Sequence, residues 1–333
     1  QSSAHGVIWV LLDDRAGNRS QCLGVADALG LPYVVKEVRY SVFARLPNSM
    51  LGKSLIGLSM ESRLGFMPPW PDVVIAAGRR TAPVARAIKA HAIKTGGGRT
   101  RLVQIMYPGT TGIDDFDLVA VPMHDAPKSG GNILPVLGAP HGITMDKLSQ
   151  AASEWRDEIS ALAAPRIAVL VGGSTRRRTF TPEMGRELGC LVNGMAEAAG
   201  GSLMISTSRR TGESAEAALL KEITVPHHVF QWGQEGANPY RGYLALADGV
   251  VVTGDSVSMC SEVCATEAPV YVYAPPALIT DKHARLHQLL YAGGYARPLA
   301  QPLGREWENW SHPRLNSAES IVEAMWDRLG VNG

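Results

Sequence analysis

Short apolar runs that do not alternate with polar residues constrain this chain most. Val7-Ile8-Trp9-Val10-Leu11-Leu12, Val73-Val74-Ile75-Ala76-Ala77, Leu102 to Met106, Leu118 to Val121, Ile167 to Val171, Leu203 to Thr207 and Val250-Val251-Val252-Thr253 all have this form. Such a run reads as a strand covered on both faces, and covered strands belong to parallel sheets flanked by helices. The opening fits that rule. After the first run comes a loop, Asp13 to Asn18, then a helical stretch Gln21 to Leu29 with Leu23, Ala26 and Leu29 apolar, closed by Gly30. Tyr33 to Val38 follows as a second strand, completing a βαβ unit of a doubly wound sheet.

The rhythm is interrupted and then restarts. Ser41 to Pro71 is less regular, with a helix expected near Leu51 to Leu58. Ala139 to Thr144 is irregular, Met145 to Ala163 has helical spacing, and the βα pattern resumes after Pro165. Further strands are expected at Val229 to Gln231 and Val270 to Tyr273. Helices are expected at Ala82 to Thr95, Pro182 to Ala199, Ser214 to Lys221, Pro239 to Ala247 and Ser258 to Thr266. With 333 residues, the reading is α/β with two Rossmann-like parallel-sheet domains, residues 1–150 and 165–305, facing across a cleft. A last helix, Ser317 to Leu329, is apolar at Ile321, Val322, Ala324, Met325 and Leu329 and could pack back on the first domain.

Composition excludes several classes. A net charge of +1 with 19% charged residues argues against a dedicated nucleic-acid binder. No apolar run reaches the length of a membrane span. The four cysteines, Cys22, Cys190, Cys260 and Cys264, are too scattered for a disulfide framework. The chain opens on Gln1-Ser2-Ser3 without a signal-peptide pattern behind it, and the expected location is cytoplasmic.

The chemistry-bearing residues stand where strands end. Gly172-Gly173-Ser174-Thr175-Arg176-Arg177-Arg178 combines glycines, hydroxyls and arginines suited to phosphate, although it is neither a Walker loop nor GxGxxG. A solvated turn is the plain alternative. Ser206-Thr207-Ser208-Arg209-Arg210-Thr211 repeats the chemistry one strand later. In Gly254-Asp255-Ser256, Gly254 allows a tight reversal, and Ser256 or Ser258 can cap the next helix, leaving N–H groups for an anion. Glu262, one turn on, could accept from a sugar diol. Asp13-Asp14-Arg15, with Asn18 and Gln21, ends the first strand; Asp14 is read either as a general base or as a helix cap paired with Arg15. Gly78-Arg79-Arg80-Thr81 is either an anion contact or a helix start. His124-Asp125 is a weaker base candidate. His283 and His287 stand four apart without the Glu of HExxH, so no metal site is expected, and Cys260 and Cys264 read as core residues. Ser256 and Ser258 are not in a GxSxG elbow, which disfavours hydrolase chemistry.

With these motifs the chain resembles the mitochondrial-fission ELM-type family. The matching stretches are DDRAGNRSQ (13–21), AAGRRTAPVARAIK (76–89), VPMHD (121–125), LGAPHGIT (137–144), VLVGGSTRRRTF (169–180), STSRRT (206–211) and TGDSVSMCSE (253–262). The C-terminal half also resembles GT-B glycosyltransferases. That resemblance implies Glu262 on a donor ribose, Ser256, Ser258 and Met259 beside a diphosphate, and Gln231-Trp232 bordering the base. It also implies an acceptor on the N-terminal domain, with Asp14 as base.

The expected activity is metal-independent sugar transfer from a nucleotide-sugar to an unknown acceptor, with no further cofactor. Arg177 and Arg209 would stabilise the leaving diphosphate, with Gly172, Gly173, Ser174, Thr175, Ser208, Gly254 and Asp255 around it. Asp14 and His124 are the catalytic candidates, and Arg15, Asn18, Gln21 and Arg79 would meet substrate. Two alternatives stand beside it: a nucleotide-sugar epimerase on the same fold, or a non-catalytic interaction protein. A cell-envelope role with peripheral membrane contact fits the same reading.

Overall fold

The computed structural model describes residues 6–96, 98–127, 130–299 and 310–331. Gln1-Ser2-Ser3 and the last residues of the 165–305 span lie outside these. Contacts divide the chain into two compact units, 1–142 with 317–333, and 143–316. The division falls just ahead of a helix whose partner lies in the second unit.

Unit 1 contains β1 (Ile8–Leu12), α1 (Ala16–Leu29), β2 (Tyr33–Glu37), α2 (Asn48–Leu51), α3 (Met60–Leu64), β3 (Val73–Ala77), α4 (Ala82–Lys94), β4 (Arg101–Ile105), β5 (Leu118–Pro122) and β6 (Ile133–Val136). Its six strands are parallel in the order β2-β1-β3-β4-β5-β6. Successive side chains of a strand point to opposite faces, so each apolar run feeds two cores. Ile8, Val10 and Leu12 join Val25 and Leu29 of α1. Trp9 and Leu11 pack the other way, with Val84 and Ile88 of α4.

Unit 2 contains α5 (Met145–Ile159), β7 (Arg166–Leu170), α6 (Pro182–Ala199), β8 (Ser202–Ser206), α7 (Glu213–Lys221), β9 (His227–Phe230), α8 (Tyr240–Leu246), β10 (Gly249–Thr253), α9 (Val257–Glu262), β11 (Val270–Tyr273), α10 (Asp281–Ala292) and β12 (Arg297–Pro298). The parallel order is β12-β11-β10-β7-β8-β9. Leu188 and Val192 of α6 and Leu219 of α7 cover Ile167, Val169, Leu203 and Ile205. The last helix, α11 (Ser317–Leu329), returns to unit 1. Its Ile321, Val322 and Met325 are buried in the core shared with α1, and the helix lies against α1, β5 and β6.

Strand order locates the sites. In unit 1 the chain starts at β1, steps out to β2, and then reverses direction through β3. In unit 2 it starts at β7, steps out through β8 and β9, and reverses through β10, the order of a dinucleotide-binding sheet. Where the direction reverses, neighbouring loops leave the strand ends in opposite directions and open a crevice. The crevices therefore lie beyond β1/β3 and β7/β10.

Three local differences from the sequence reading have physical causes. β6 was not foreseen because Pro135 breaks its pattern; an edge strand tolerates a proline, and β6 is an edge. The two-residue β12 is an edge of the same kind. The helix expected near Leu51 to Leu58 ends at Leu51, where Gly52 adopts φ 56°.

Candidate functional site

At the unit 2 crevice the structure ties three loops into one cluster. Thr253, the last residue of β10, accepts the Gly172 N–H at 2.7 Å through Oγ1. Asp255, 3% exposed, accepts the Gly173 N–H at 2.9 Å and pairs with the Arg210 guanidinium at 2.5 Å. Ser208 Oγ donates to the Gly172 carbonyl at 2.5 Å, and Ser174 N–H donates to the Arg210 carbonyl at 2.7 Å. The glycines have a structural role in this cluster. A Cβ on Gly172 would lie 2.5 Å from Asp255 Oδ2, and one on Gly173 only 2.1 Å from the Arg210 carbonyl oxygen, with φ at +136°. Close approach of protein loops accounts for both, where sequence suggested room for a ligand.

Arg210, not the expected Arg209, turns into the cluster. Thr211 N–H donates to the Ser208 carbonyl, closing a tight turn that leaves Arg209 exposed and Arg210 half-buried. Arg177 is exposed as well, on a self-contained turn in which Thr175 Oγ1 accepts the Arg177 and Arg178 N–H groups. Gln231 and Trp232 follow the edge strand β9, two strands from β7. Gln231 Nε2 donates to Glu216 at 2.8 Å and Trp232 N–H to Thr207 at 2.9 Å, while the indole stands exposed.

Ser256 is the cap of α9 and accepts the Met259 N–H. Ser258 and Met259 are half-buried on that helix. Glu262, at its end, accepts from Tyr240 Oη at 2.7 Å. Burial pushes the Glu262 carboxyl above its ordinary value, with Tyr240 and Arg241 opposing only part of that shift. A partly desolvated carboxylate with a fixed phenol partner suits recognition of neutral hydroxyls. His287 packs under Gly254, where a Cβ would lie 2.5 Å from its ring. Burial lowers its pKa to about 4, with the neighbouring His283 adding to the shift. Cys260 and Cys264 are buried, and burial raises both thiols. Among the described residues no three His, Cys, Asp or Glu gather as a metal site.

At the unit 1 crevice Asp13, rather than Asp14, is the buried carboxylate. It accepts from Arg15 N–H at 3.1 Å, Asn18 Nδ2 at 3.0 Å and Tyr40 Oη at 3.2 Å. Asp14 is exposed and held by Arg80 at 2.5 Å, whose guanidinium also stacks 4.2 Å from the Tyr40 ring. Arg79 donates to Asn48 Oδ1 at 3.3 Å. Arg15, Arg45, Arg79, Arg80 and Tyr40 line an open pocket of about 530 Å³. Gln21 is buried on α1. His124 is buried after β5, two strands from β3, away from this group.

Sequence reasoning missed Arg210, Tyr240, Tyr40 and Arg45. Arg210 shares its motif with Arg209, and only the turn decides between them. Tyr40 and Arg45 stand in a stretch without glycine, and Tyr240, although glycines flank it, belongs to no motif, so nothing local marks the three.

Two parallel α/β sheets of six strands, each with polar residues at its reversal point, define the GT-B class. Solved structures of similar fold include a UDP-GlcNAc 2-epimerase from Neisseria meningitidis bound to UDP-GlcNAc. The match has TM-score 0.50 and 10% identity, and covers 98% of this chain and 100% of that one. The Listeria monocytogenes protein assigned as a UDP-N-acetylglucosamine 2-epimerase gives TM-score 0.51 at 11% identity, covering 97% and 88%. The chain belongs to the mitochondrial fission ELM1 family, whose model matches residues 16–329. Among its relatives is the mitochondrial fission protein ELM1 of Arabidopsis thaliana, 29% identical over 310 residues that span 86% of this chain and 70% of that protein.

Proposed function

We propose that this protein transfers a sugar from a nucleotide-sugar bound on unit 2 to an acceptor bound on unit 1. The observation that carries the reading is the presence of a distinct polar crevice on each sheet: a donor-type cluster beyond β7/β10 and a separate arginine-lined pocket beyond β1/β3. An enzyme that rearranges a single nucleotide-sugar needs no second pocket. In this proposal Glu262, braced by Tyr240, holds the ribose. Ser256, Ser258 and Met259 lie beside the diphosphate, and Gln231-Trp232 borders the base. Arg210 acts with Arg177 and Arg209, stabilising the charge that develops on the leaving diphosphate. Asp14 serves as base on the acceptor side, with Arg80 fixing its carboxylate and Arg15, Asn18, Gln21 and Arg79 around the substrate.

The second reading is a nucleotide-sugar epimerase, favoured by the fold shared with the Neisseria protein that holds UDP-GlcNAc. Thermal-shift measurements with UDP, GDP, CMP, TDP and ADP and their sugar conjugates test the donor site. A ligand at about 100 times its Kd adds about 2.7 kcal/mol. One nucleotide class should raise the melting temperature, and Glu262→Ala should remove that rise. Product analysis with the active nucleotide-sugar then separates the readings, since transfer releases nucleotide and epimerisation does not. A flat screen at high ligand concentration would reject both enzyme readings and leave an interaction protein.

A further inference from the structure

The segment linking β2 to β3 carries a surface that sugar transfer does not require. Val42 and Met60 are each 76% exposed, Leu64 75%, Met50 69%, Met67 62% and Phe43 48%, a density of exposed large apolar side chains that no other described stretch of this length matches. Single exposed apolar residues are ordinary, whereas clustered ones mark a contact surface. The segment is well ordered by its own hydrogen bonds. Ser41 N–H donates to Gly57 O at 2.9 Å, Ser59 N–H to Arg39 O at 2.8 Å, and Arg63 Nη2 to Ile56 O at 2.9 Å. Its inward residues Leu58 and Phe66 are already buried against Trp9. The exposed set is therefore a second, outward one.

Charge indicates what covers it. Residues 39–67 carry Arg39, Arg45, Lys53 and Arg63 against the single acid Glu61, and with Arg39 paired to Glu61 and Lys53 to Asp115, Arg45 and Arg63 hold no acid among the described residues. Arg45 also lines the pocket of about 530 Å³ together with Arg15 and Arg79. Among the described residues none of these three holds a carboxylate; Arg79 reaches only Asn48. The acids at the pocket are already engaged, Asp14 by Arg80 and Asp13 by Asn18 and Tyr40. The fourteen-residue α1 starts beside Arg15 with no side-chain cap and no acid in its first turn. Three arginines without a carboxylate partner among the described residues, beside a helix N-terminus with no side-chain cap, favour a phosphate. A protein hot spot would lean on Trp and Tyr, but the apolar set has one aromatic, Phe43, and is otherwise Met, Leu and Val. Apolar side chains interleaved with basic ones are the make-up of an interfacial membrane contact.

We propose that the 39–67 lobe docks on an anionic lipid bilayer, with Val42, Phe43, Met60 and Leu64 entering the headgroup layer and Arg15, Arg45 and Arg79 receiving a lipid phosphate. No helix among the described residues is long and apolar enough to cross a membrane, so this contact is peripheral. Its phosphate pocket is the acceptor pocket of the sugar-transfer reading, but the docking itself needs no nucleotide.

Flotation of the full chain with vesicles tests it, using phosphatidylcholine alone and phosphatidylcholine mixed with phosphatidylglycerol. The protein should float with the mixed vesicles, not with phosphatidylcholine alone, and salt should weaken the binding. Arg45→Ala should weaken binding about five-fold, the effect of roughly one basic residue at an anionic surface. A Phe43→Ser, Met60→Ser, Leu64→Ser variant with an unchanged melting temperature should not float; if it fails to fold, Arg45→Ala decides. Three results would overturn the proposal. They are equal flotation with both vesicle types or none with either, stabilisation by inorganic phosphate without flotation, and self-association without flotation.

Discussion

His287 shows how one side chain couples the proposed donor crevice to pH. It is 2% exposed and packs under Gly254 with Cys260 Sγ 3.8 Å from Nε2, so the imidazolium form loses its hydration without gaining a carboxylate. Burial and the neighbouring His283 lower its pKa from 6.5 to about 4, and the weaker influence of Asp255 does not reverse this. Above the unfolded value both states are neutral and the group is silent. As pH falls below 6.5 the unfolded chain takes up a proton that the folded chain refuses, so stability declines until the folded pKa is reached. The full difference corresponds to about 3 kcal/mol. Urea unfolding of the wild type should therefore show a midpoint that falls between neutral pH and about pH 4, while His287→Gln should show a flatter profile over the same window. An unchanged slope in the variant would place the pH sensitivity elsewhere.

Elements were legible where one local rule governed them and obscure where tertiary contact decided. The covered strands β1, β3, β7, β8 and β10 could be read directly from continuous apolar runs, and the two-sheet α/β class followed from them. The family, too, was legible in motifs spread from Asp13 to Glu262. β6 and β12 were hidden because Pro135 and Pro298 are acceptable only to an edge, and which strand becomes an edge is fixed by the whole sheet. The site was half legible for the same reason. Strand-end loops announced themselves by composition, but whether Arg209 or Arg210 faces inward depends on a turn locked by Ser208 and Thr211. Gly173 makes the point testable. Its φ of +136° and the carbonyl oxygen 2.1 Å from a built Cβ mean that Gly173→Ala must push the β7 and β8 loops apart. We expect a loss of more than about 1 kcal/mol together with a weakened nucleotide response. Gly194→Ala is the control, since that glycine lies inside α6 with open space at its Cβ and should stabilise by about 0.5–1 kcal/mol. Equal effects at both positions would show that the loop junction is less tightly constrained than these contacts imply.

At the scale of the whole molecule, unit 2 is an insertion into unit 1, since residues 143–316 lie between β6 and α11 along the chain. The consequence is energetic as well as topological. Ile321 and Met325 of α11 are fully buried and Val322 is 2% exposed, all against the face of the sheet that α1 also covers. Without α11 that face of β5 and β6 and the flank of α1 would meet water, and removing buried side chains of this size costs about 2–5 kcal/mol each. Domains of unit 1's size are stable by only about 5–15 kcal/mol in all. Residues 1–142 alone should therefore fail to give a cooperative thermal transition or a dispersed amide NMR spectrum. Joining 317–331 to them through a flexible Gly/Ser linker should restore both. Residues 143–316, whose core among the described residues draws on neither flank, should melt cooperatively on their own. A cooperative transition from 1–142 without the helix would show that α11 only decorates the sheet. Failure of the linked form would show that unit 1 needs the inserted unit for more than connection.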